Sequence, residues 1–405
     1  MSQSDRGVSA KHRRHSLTCE TLERRELLAT IISPQLDQAS PSAPGLLHQT
    51  ANHSQHARPV RVEAGAGTRA LALDQALQQV MNEFHTPGAV VGVMTPGMRP
   101  WLTARGLSDV DSGRPMTLRD QFQIRSVTKS YTVTLILELA RARRLSLSDP
   151  IEMYVPGIPN GDRITLAELA GMRSGLENYT RVPAFGEAFI ANPGRQWTNR
   201  ELVDLAIPKS PLFEPGERYD YSNTNTVLLG MVVEQVTRRP LDQALRNMLL
   251  RPLGLSRTSY PRSFAVGRPA PTPYEVDRET GQLEALPQVN LSSLGPSGAI
   301  VTTLPDLLHW GKALGTGQLI GPRLLQLRKD LSVPRTNGPE YDRYGLGIGE
   351  LKGWWGHTGE GFGFQAATFY DPVTRSVIAV ALNSTQPENV ATQIFKALAN
   401  VVRPG

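Results

Sequence analysis

Ser126-Val-Thr-Lys-Ser-Tyr-Thr-Val-Thr-Leu-Ile-Leu-Glu-Leu-Ala140 decides how this chain is read. Tyr131, Val133, Leu135, Ile136, Leu137, Leu139 and Ala140 crowd one segment so densely that it predicts a buried helix. Arg141, Arg143 and Arg144 follow where a helix dipole favours cations. Residues three apart share a helix face, so Lys129 comes beside Ser126 one turn on. A serine hydroxyl is a weak nucleophile at neutral pH and needs a base within hydrogen-bond reach. Burial lowers a lysine pKa, which would make Lys129 a usable base. Ser126 at the helix start would have free backbone N–H groups nearby for developing negative charge. An isolated Ser-x-x-Lys is usually a helix cap beside a solvated lysine. Here lysine is scarce relative to arginine, and the pair occurs once.

Two downstream fragments answer this one in order. Tyr221-Ser-Asn223 lies between the turn at Pro215-Gly216 and the apolar run Val227–Val233, so it predicts a loop leading into a buried helix. Tyr221 there would act as a phenolate beside a cation or as a proton relay to Lys129. Asn223 carries both donors and an acceptor for a substrate amide. Taken alone, the fragment equally suits a packed tyrosine and a capping asparagine. His357-Thr-Gly359 sits between Trp354-Trp-Gly356 and Glu360-Gly-Phe-Gly363. Gly359 lets a ligand approach the backbone, and a strand edge there would donate to an oxyanion. The β-rich runs Phe364–Tyr370 and Val377–Asn383 flank a turn at Asp371-Pro372, which predicts a hairpin.

With these three fragments the chain resembles the penicillin-recognising serine hydrolases, in the branch of class C β-lactamases, R61-type DD-peptidases and related esterases. Ser126-x-x-Lys129 matches the first motif, Tyr221-x-Asn223 the second and His357-Thr-Gly359 the third, where β-lactamases carry Lys-Thr-Gly. Pro159–Thr165, Leu169 with Arg173–Leu176, Ser297–Thr303 with Asp306, and Tyr344–Gly349 extend the match from about residue 70 to the end. The resemblance implies a serine that is acylated and then freed by hydrolysis. Ser126 would be the nucleophile, with Lys129 and Tyr221 sharing the proton transfers. Which of the two is the base stays open. Asn223 would hold the substrate amide, and the N–H groups of Ser126 and Glu360 would form the oxyanion hole. Thr358 would meet a substrate carboxylate. His357 would line the substrate site beside it; mostly neutral near pH 7, it replaces a permanent cation and argues against a dedicated β-lactamase.

The implied substrates are a D-alanyl peptide, a small ester or, last, a β-lactam. A non-catalytic module binding penicillin or peptidoglycan fragments is the alternative. No cofactor or metal is expected: the zinc spacings, phosphate loops and Gly-x-Ser-x-Gly elbow are all missing, and His48, His53 and His56 have no partner acids. The net charge of +6 over 405 residues is spread out, without the aromatic-laced basic stripe of nucleic-acid binders. No segment predicts a membrane span, and the sequence leaves the oligomeric state open. Residues 1–33, with the lone Cys19, read as a leader or export signal, hence a periplasmic or extracellular protein. Residues 34–66, rich in Pro, Ser, Gln and His, read as a disordered linker. Residues 67–405 read as one α/β (α+β) hydrolase domain. Leu73, Leu77, Val80, Met81 and Phe84 predict an opening helix and Val390–Val402 a closing amphipathic one. Strands at 89–94, 101–104, 344–350 and 364–383 would form one antiparallel sheet built from both ends of the domain, flanked by helices. A mainly helical lobe within 120–335 would be inserted, giving the β-lactamase/transpeptidase-like architecture.

Overall fold

The computed structural model describes residues 64–264 and 269–404. The leader, Cys19, the three histidines and nearly all of the linker lie outside these residues. The opening helix α1 spans Ala64–Glu83, starting inside the stretch read as linker. Strands β1 (Gly88–Met94) and β2 (Trp101–Asp109) follow, with a two-residue β3 at Arg114–Pro115. The C-terminal half adds β4 (Val333–Pro334), β5 (Arg343–Tyr344), β6 (Gly349–Leu351), β7 (Trp354–Gly361), β8 (Phe364–Tyr370) and β9 (Val377–Leu382). They join in one nine-stranded sheet of order β3-β2-β1-β9-β8-β7-β6-β5-β4, antiparallel throughout. The strands of the N-terminal half meet those of the C-terminal half where Ala89 pairs with Leu382.

Side chains alternate across the central strands, as a period of two requires. Val91, Val93, Ile378 and Val380 face α1 and the closing helix Val390–Val402, meeting Leu73, Leu77, Ile394, Phe395 and Leu398. Val90, Val377, Ala379 and Ala381 face the other way, toward Leu304, Leu307, Leu308 and Trp310 on the helix Leu304–Thr316. Gly311 and Gly315, one turn apart, let that helix lie close: a Cβ on Gly315 would stand 2.2 Å from Tyr370 Cγ. Both faces are covered, so β1 and β9 read as nearly unbroken apolar runs.

The helical lobe lies between β3 and β4. Its central helix α2 spans Thr128–Arg141 and is buried from Thr128 to Leu139. Tyr131 stacks on Trp310 at 3.7 Å, and Trp310 Nε1 donates to Ser130 Oγ at 2.9 Å. Buried Arg328 donates to Leu346 O at 2.7 Å, Gly347 O at 3.1 Å and Thr134 Oγ1 at 3.0 Å, fastening α2 to the loop before β6. Three differences from the sequence reading matter. The nucleophile segment begins as a 3-10 turn, Arg125–Val127, and becomes α-helical only at Thr128. Short strands also occur within 120–335, where helices and loops were expected: Phe122–Gln123 pairs with Val301–Thr302, and Tyr274–Val276 with Leu283–Ala285. Finally, Trp354–Gly361 is itself a full strand, because pairing with β8 from Trp355 to Gly361 overrides its glycines.

Candidate active site

Ser126, Lys129, Tyr221, Asn223 and the strand His357–Glu360 converge where α2 meets the sheet. Lys129 is wholly buried; its Nζ lies 2.9 Å from Ser126 Oγ, 2.6 Å from Asn223 Oδ1 and 3.1 Å from Ser297 O. Asn223 Oδ1 and the Ser297 carbonyl can only accept, so they take two N–H bonds from the amine. The third contact is a hydroxyl, which can donate to the lone pair of a neutral amine. Burial pushes the Lys129 pKa well below its ordinary value, and no described carboxylate pairs with it to reverse that. The ligand set therefore suits an unprotonated lysine receiving the Ser126 proton.

The second fragment is fixed by its backbone. Asn223 opens the helix α4 (taking Pro183–Ala191 as α3), which spans Asn223–Thr237. Its N–H donates to Asn178 Oδ1 at 3.1 Å, so a residue outside the helix satisfies its first turn. That frees the Asn223 side chain for Lys129, while its Nδ2 donates to Thr180 Oγ1 at 3.2 Å. Tyr221 is held on both sides: its N–H donates to Asn337 Oδ1 at 3.1 Å and its carbonyl accepts from Arg181 Nη2 at 3.1 Å. Its ring lies 4.9 Å from Lys129 Nζ. The phenol faces Ser126 without closing a hydrogen bond of ordinary geometry. Burial raises its pKa well above the usual phenol value, so the neutral phenol holds and the phenolate alternative is disfavoured.

The third fragment presents backbone. Strand β6 pairs with β7 only from Gly349↔Gly356 to Leu351↔Trp354, so from His357 on the outer edge of β7 is open. Thr358 N–H donates to Tyr341 Oη at 2.8 Å, on that outer side. Amide directions alternate along a strand, so the Glu360 N–H points to the same open edge. A Cβ on Gly359 would lie 2.8 Å from Ser126 N and 2.2 Å from Ile124 O, so β7 passes directly over the nucleophile turn.

Two side chains of this strand sit differently from their expected roles. His357 is fully buried; its Nε2 lies 3.0 Å from Tyr344 Oη and its Nδ1 2.6 Å from Thr358 O and 3.2 Å from Tyr341 Oη. Both ring nitrogens are thus engaged by protein groups, and the expectation that the imidazole meets substrate is corrected. Burial lowers its pKa to about 3. The Thr358 hydroxyl, also buried, lies 2.9 Å from Tyr341 Oη. Glu360 is half-buried, its Oε2 accepting from Asn389 Nδ2 at 2.8 Å, and its burial lifts the carboxyl pKa to about 7. Ser297, Tyr341 and Tyr344 join the site without having been singled out as site residues. Ser297 acts through its carbonyl, which no side-chain pattern reveals. Among the described residues no group of three or more His, Cys, Asp or Glu could hold a metal ion.

A stability prediction follows from His357. Its folded pKa lies below its unfolded value of about 6.5, so the unfolded state binds the extra proton as pH falls from 6.5 toward 3. Stability is lost over that window, by about 2 kcal/mol at pH 5. Glu360 and Glu275, both raised to about 7, act in the opposite sense. Denaturant titrations of wild type and His357→Gln at pH 7.5 and 5 isolate the histidine. The wild type is expected to lose about 2 kcal/mol more than the variant on acidification. Equal losses would contradict the buried neutral ring.

The family model described as Beta-lactamase matches residues 73–402. The D-stereospecific amidohydrolase from Streptomyces sp. superposes with a TM-score of 0.71 at 30% identity, over 81% of this chain and 98% of that one. The D-amino acid amidase from Ochrobactrum anthropi SV3 has the same fold, with a TM-score of 0.72 at 22% identity over 82% of this chain and 98% of its own. Among curated proteins, "Protein flp" of Staphylococcus aureus (strain N315) is 28% identical over 246 residues, 59% of this chain and 48% of the relative. "D-aminopeptidase" of Brucella anthropi is 28% identical over 240 residues, 59% of this chain and 44% of its own. The chain thus spans about half the length of the curated relatives it matches. Among the described residues no helix is long and apolar enough to cross a membrane.

Proposed function

Because this chain belongs to the beta-lactamase family, we propose that it is a serine hydrolase that cleaves amides through an acyl-enzyme. Its preferred substrates are amides or short peptides of D-amino acids. The observation that carries the reaction is the Lys129 amine, buried and set between Ser126 Oγ and two pure acceptors. In the proposed cycle Lys129 takes the Ser126 proton as Oγ attacks the substrate carbonyl. The oxyanion forms against the Ser126 and Glu360 N–H groups. Tyr221, a neutral phenol beside Ser126, relays the proton to the leaving amine as the C–N bond breaks. Water then attacks the acyl-Ser126 ester, giving its proton back through the same amine, and the carboxylic acid leaves.

The preference for D-configured amides rests on the amidohydrolase at 30% identity and on the D-aminopeptidase relative. The His357 geometry supports the same direction. A neutral, tyrosine-locked imidazole offers no cation to a substrate carboxylate, as a lysine at this place would. Losing one charge-assisted bond costs about 1.5–3 kcal/mol, or roughly 10–100-fold. D-phenylalanine amide is therefore expected to be hydrolysed with a kcat/KM at least about tenfold above that for cefalotin. Release of ammonia from the D- and L-amides, against loss of cefalotin absorbance, measures this. Cefalotin turnover equal to amide turnover, or an L-preference, would overturn the substrate assignment.

A further inference from the structure

Two non-glycine residues near the nucleophile hold left-handed backbone. Arg125, directly before Ser126, has φ 49°, and Phe362, two residues after Glu360, has φ 47°. Such conformations are uncommon outside glycine and persist only where surroundings enforce them. The two residues touch: Arg125 Nη2 donates to Phe362 O at 3.0 Å. The guanidinium carbon also lies 5.3 Å from the Phe362 ring centroid and 5.4 Å from that of Phe364. Arg125 is only 2% exposed, and its Nε and Nη1 have no hydrogen-bond partner. The Phe362 ring also packs against Phe189 on α3, with centroids 4.5 Å apart.

A buried guanidinium with donors unspent is a poor way to stabilise a fold; a hydrophobic side chain of similar size is often as good or better. Its position gives another reason for it. The two N–H groups assigned to the oxyanion come from separate pieces of chain, the Arg125–Val127 turn and the β7–β8 hairpin. Arg125 spans from the first to the tip of the second. We propose that Arg125 is a positioning residue that clamps the hairpin to the nucleophile turn and so sets the separation of the two oxyanion donors. This rests on the hydrolase reading above. It predicts a change in transition-state stabilisation with little change in ground-state binding, because the donors must fit the oxyanion rather than the substrate carbonyl.

The test uses the full chain with Arg125→Met, which keeps the apolar contacts and removes the tether, and Arg125→Lys, which restores one donor. Kinetics on D-phenylalanine amide, the rate of Ser126 labelling by a fluorophosphonate, and Tm are read together. Arg125→Met is expected to lose roughly 10–100-fold in kcat and in labelling rate, with KM within about threefold and Tm unchanged or raised. Arg125→Lys should recover part of the loss. Parallel falls in Tm and activity in both variants would make the residue merely structural and overturn the clamp. So would undiminished kcat in a folded Arg125→Met, while wild type still labels at Ser126. Failure of the wild type to label at Ser126 would overturn the hydrolase reading and the clamp with it.

Discussion

Ser126→Ala is expected to lower kcat by ~10⁶-fold on D-phenylalanine amide and on p-nitrophenyl acetate. The magnitude follows from the arrangement, not from the lone hydroxyl. Lys129 has one lone pair, and the acceptors Asn223 Oδ1 and Ser297 O leave it facing Ser126. With the hydroxyl gone, no nucleophile remains within reach of that base, and nucleophile and base act as one unit. Alanine removes one hydrogen bond from a half-buried position, so the fold should survive. Intact mass after fluorophosphonate treatment should show one adduct in wild type, mapped to Ser126, and none in the variant. The lifetime of an acyl adduct adds a second reading. Turnover within seconds marks a hydrolase, whereas an adduct that persists for hours marks a binding module. Full p-nitrophenyl acetate activity in Ser126→Ala would remove Ser126 from the mechanism.

The sequence was most legible where chemistry and periodicity coincided. Ser126 and Lys129 could be paired because a helix puts residues three apart together, and the pair does lie 2.9 Å apart. The antiparallel sheet from both ends was legible because β1 and β9 are apolar runs bounded by turns. Strand β7 was less so: its glycines at 356, 359 and 361 hide the alternation, and only pairing with β8 reveals it. Those glycines serve the site, since a side chain at Gly359 would collide with the nucleophile turn. The His357 environment was not legible at all. Its tyrosine partners lie at 341 and 344, across β5 and β6, and nothing local to the His-Thr-Gly motif announces them. The sequence said that a histidine replaces a lysine; it could not say that the ring turns inward. The carbonyl of Ser297 escaped for a similar reason, because a backbone acceptor leaves no mark in residue identity.

Replacing Lys129 tests the general base itself. Lys129→Met is expected to cost ~10⁴-fold in kcat, the upper range for removing a positioned base. Lys129→Arg should be as damaging, because a guanidinium keeps its charge and has no lone pair to offer. The wild-type pH profile carries the sign. The amine works unprotonated, so kcat/KM should fall as pH drops through the depressed pKa of Lys129, and a normal lysine would instead place that limb in the alkaline range. The same shift appears in stability. Between its folded and unfolded pKa values the unfolded chain binds the proton and the folded chain does not, so stability from this group rises with pH across that window. Lys129→Met should erase that slope while leaving the His357 contribution in place, which denaturant titrations between pH 6 and 9 would detect. Asn223 Oδ1 and Ser297 O lose their donor in the variant, so its absolute stability carries a cost of about 1–3 kcal/mol for each acceptor left bare; the slope is free of that term. A variant with wild-type pH dependence of stability, or one that keeps turnover within tenfold, would mean that the amine is charged in the folded enzyme and that another group, Tyr221 first, accepts the serine proton.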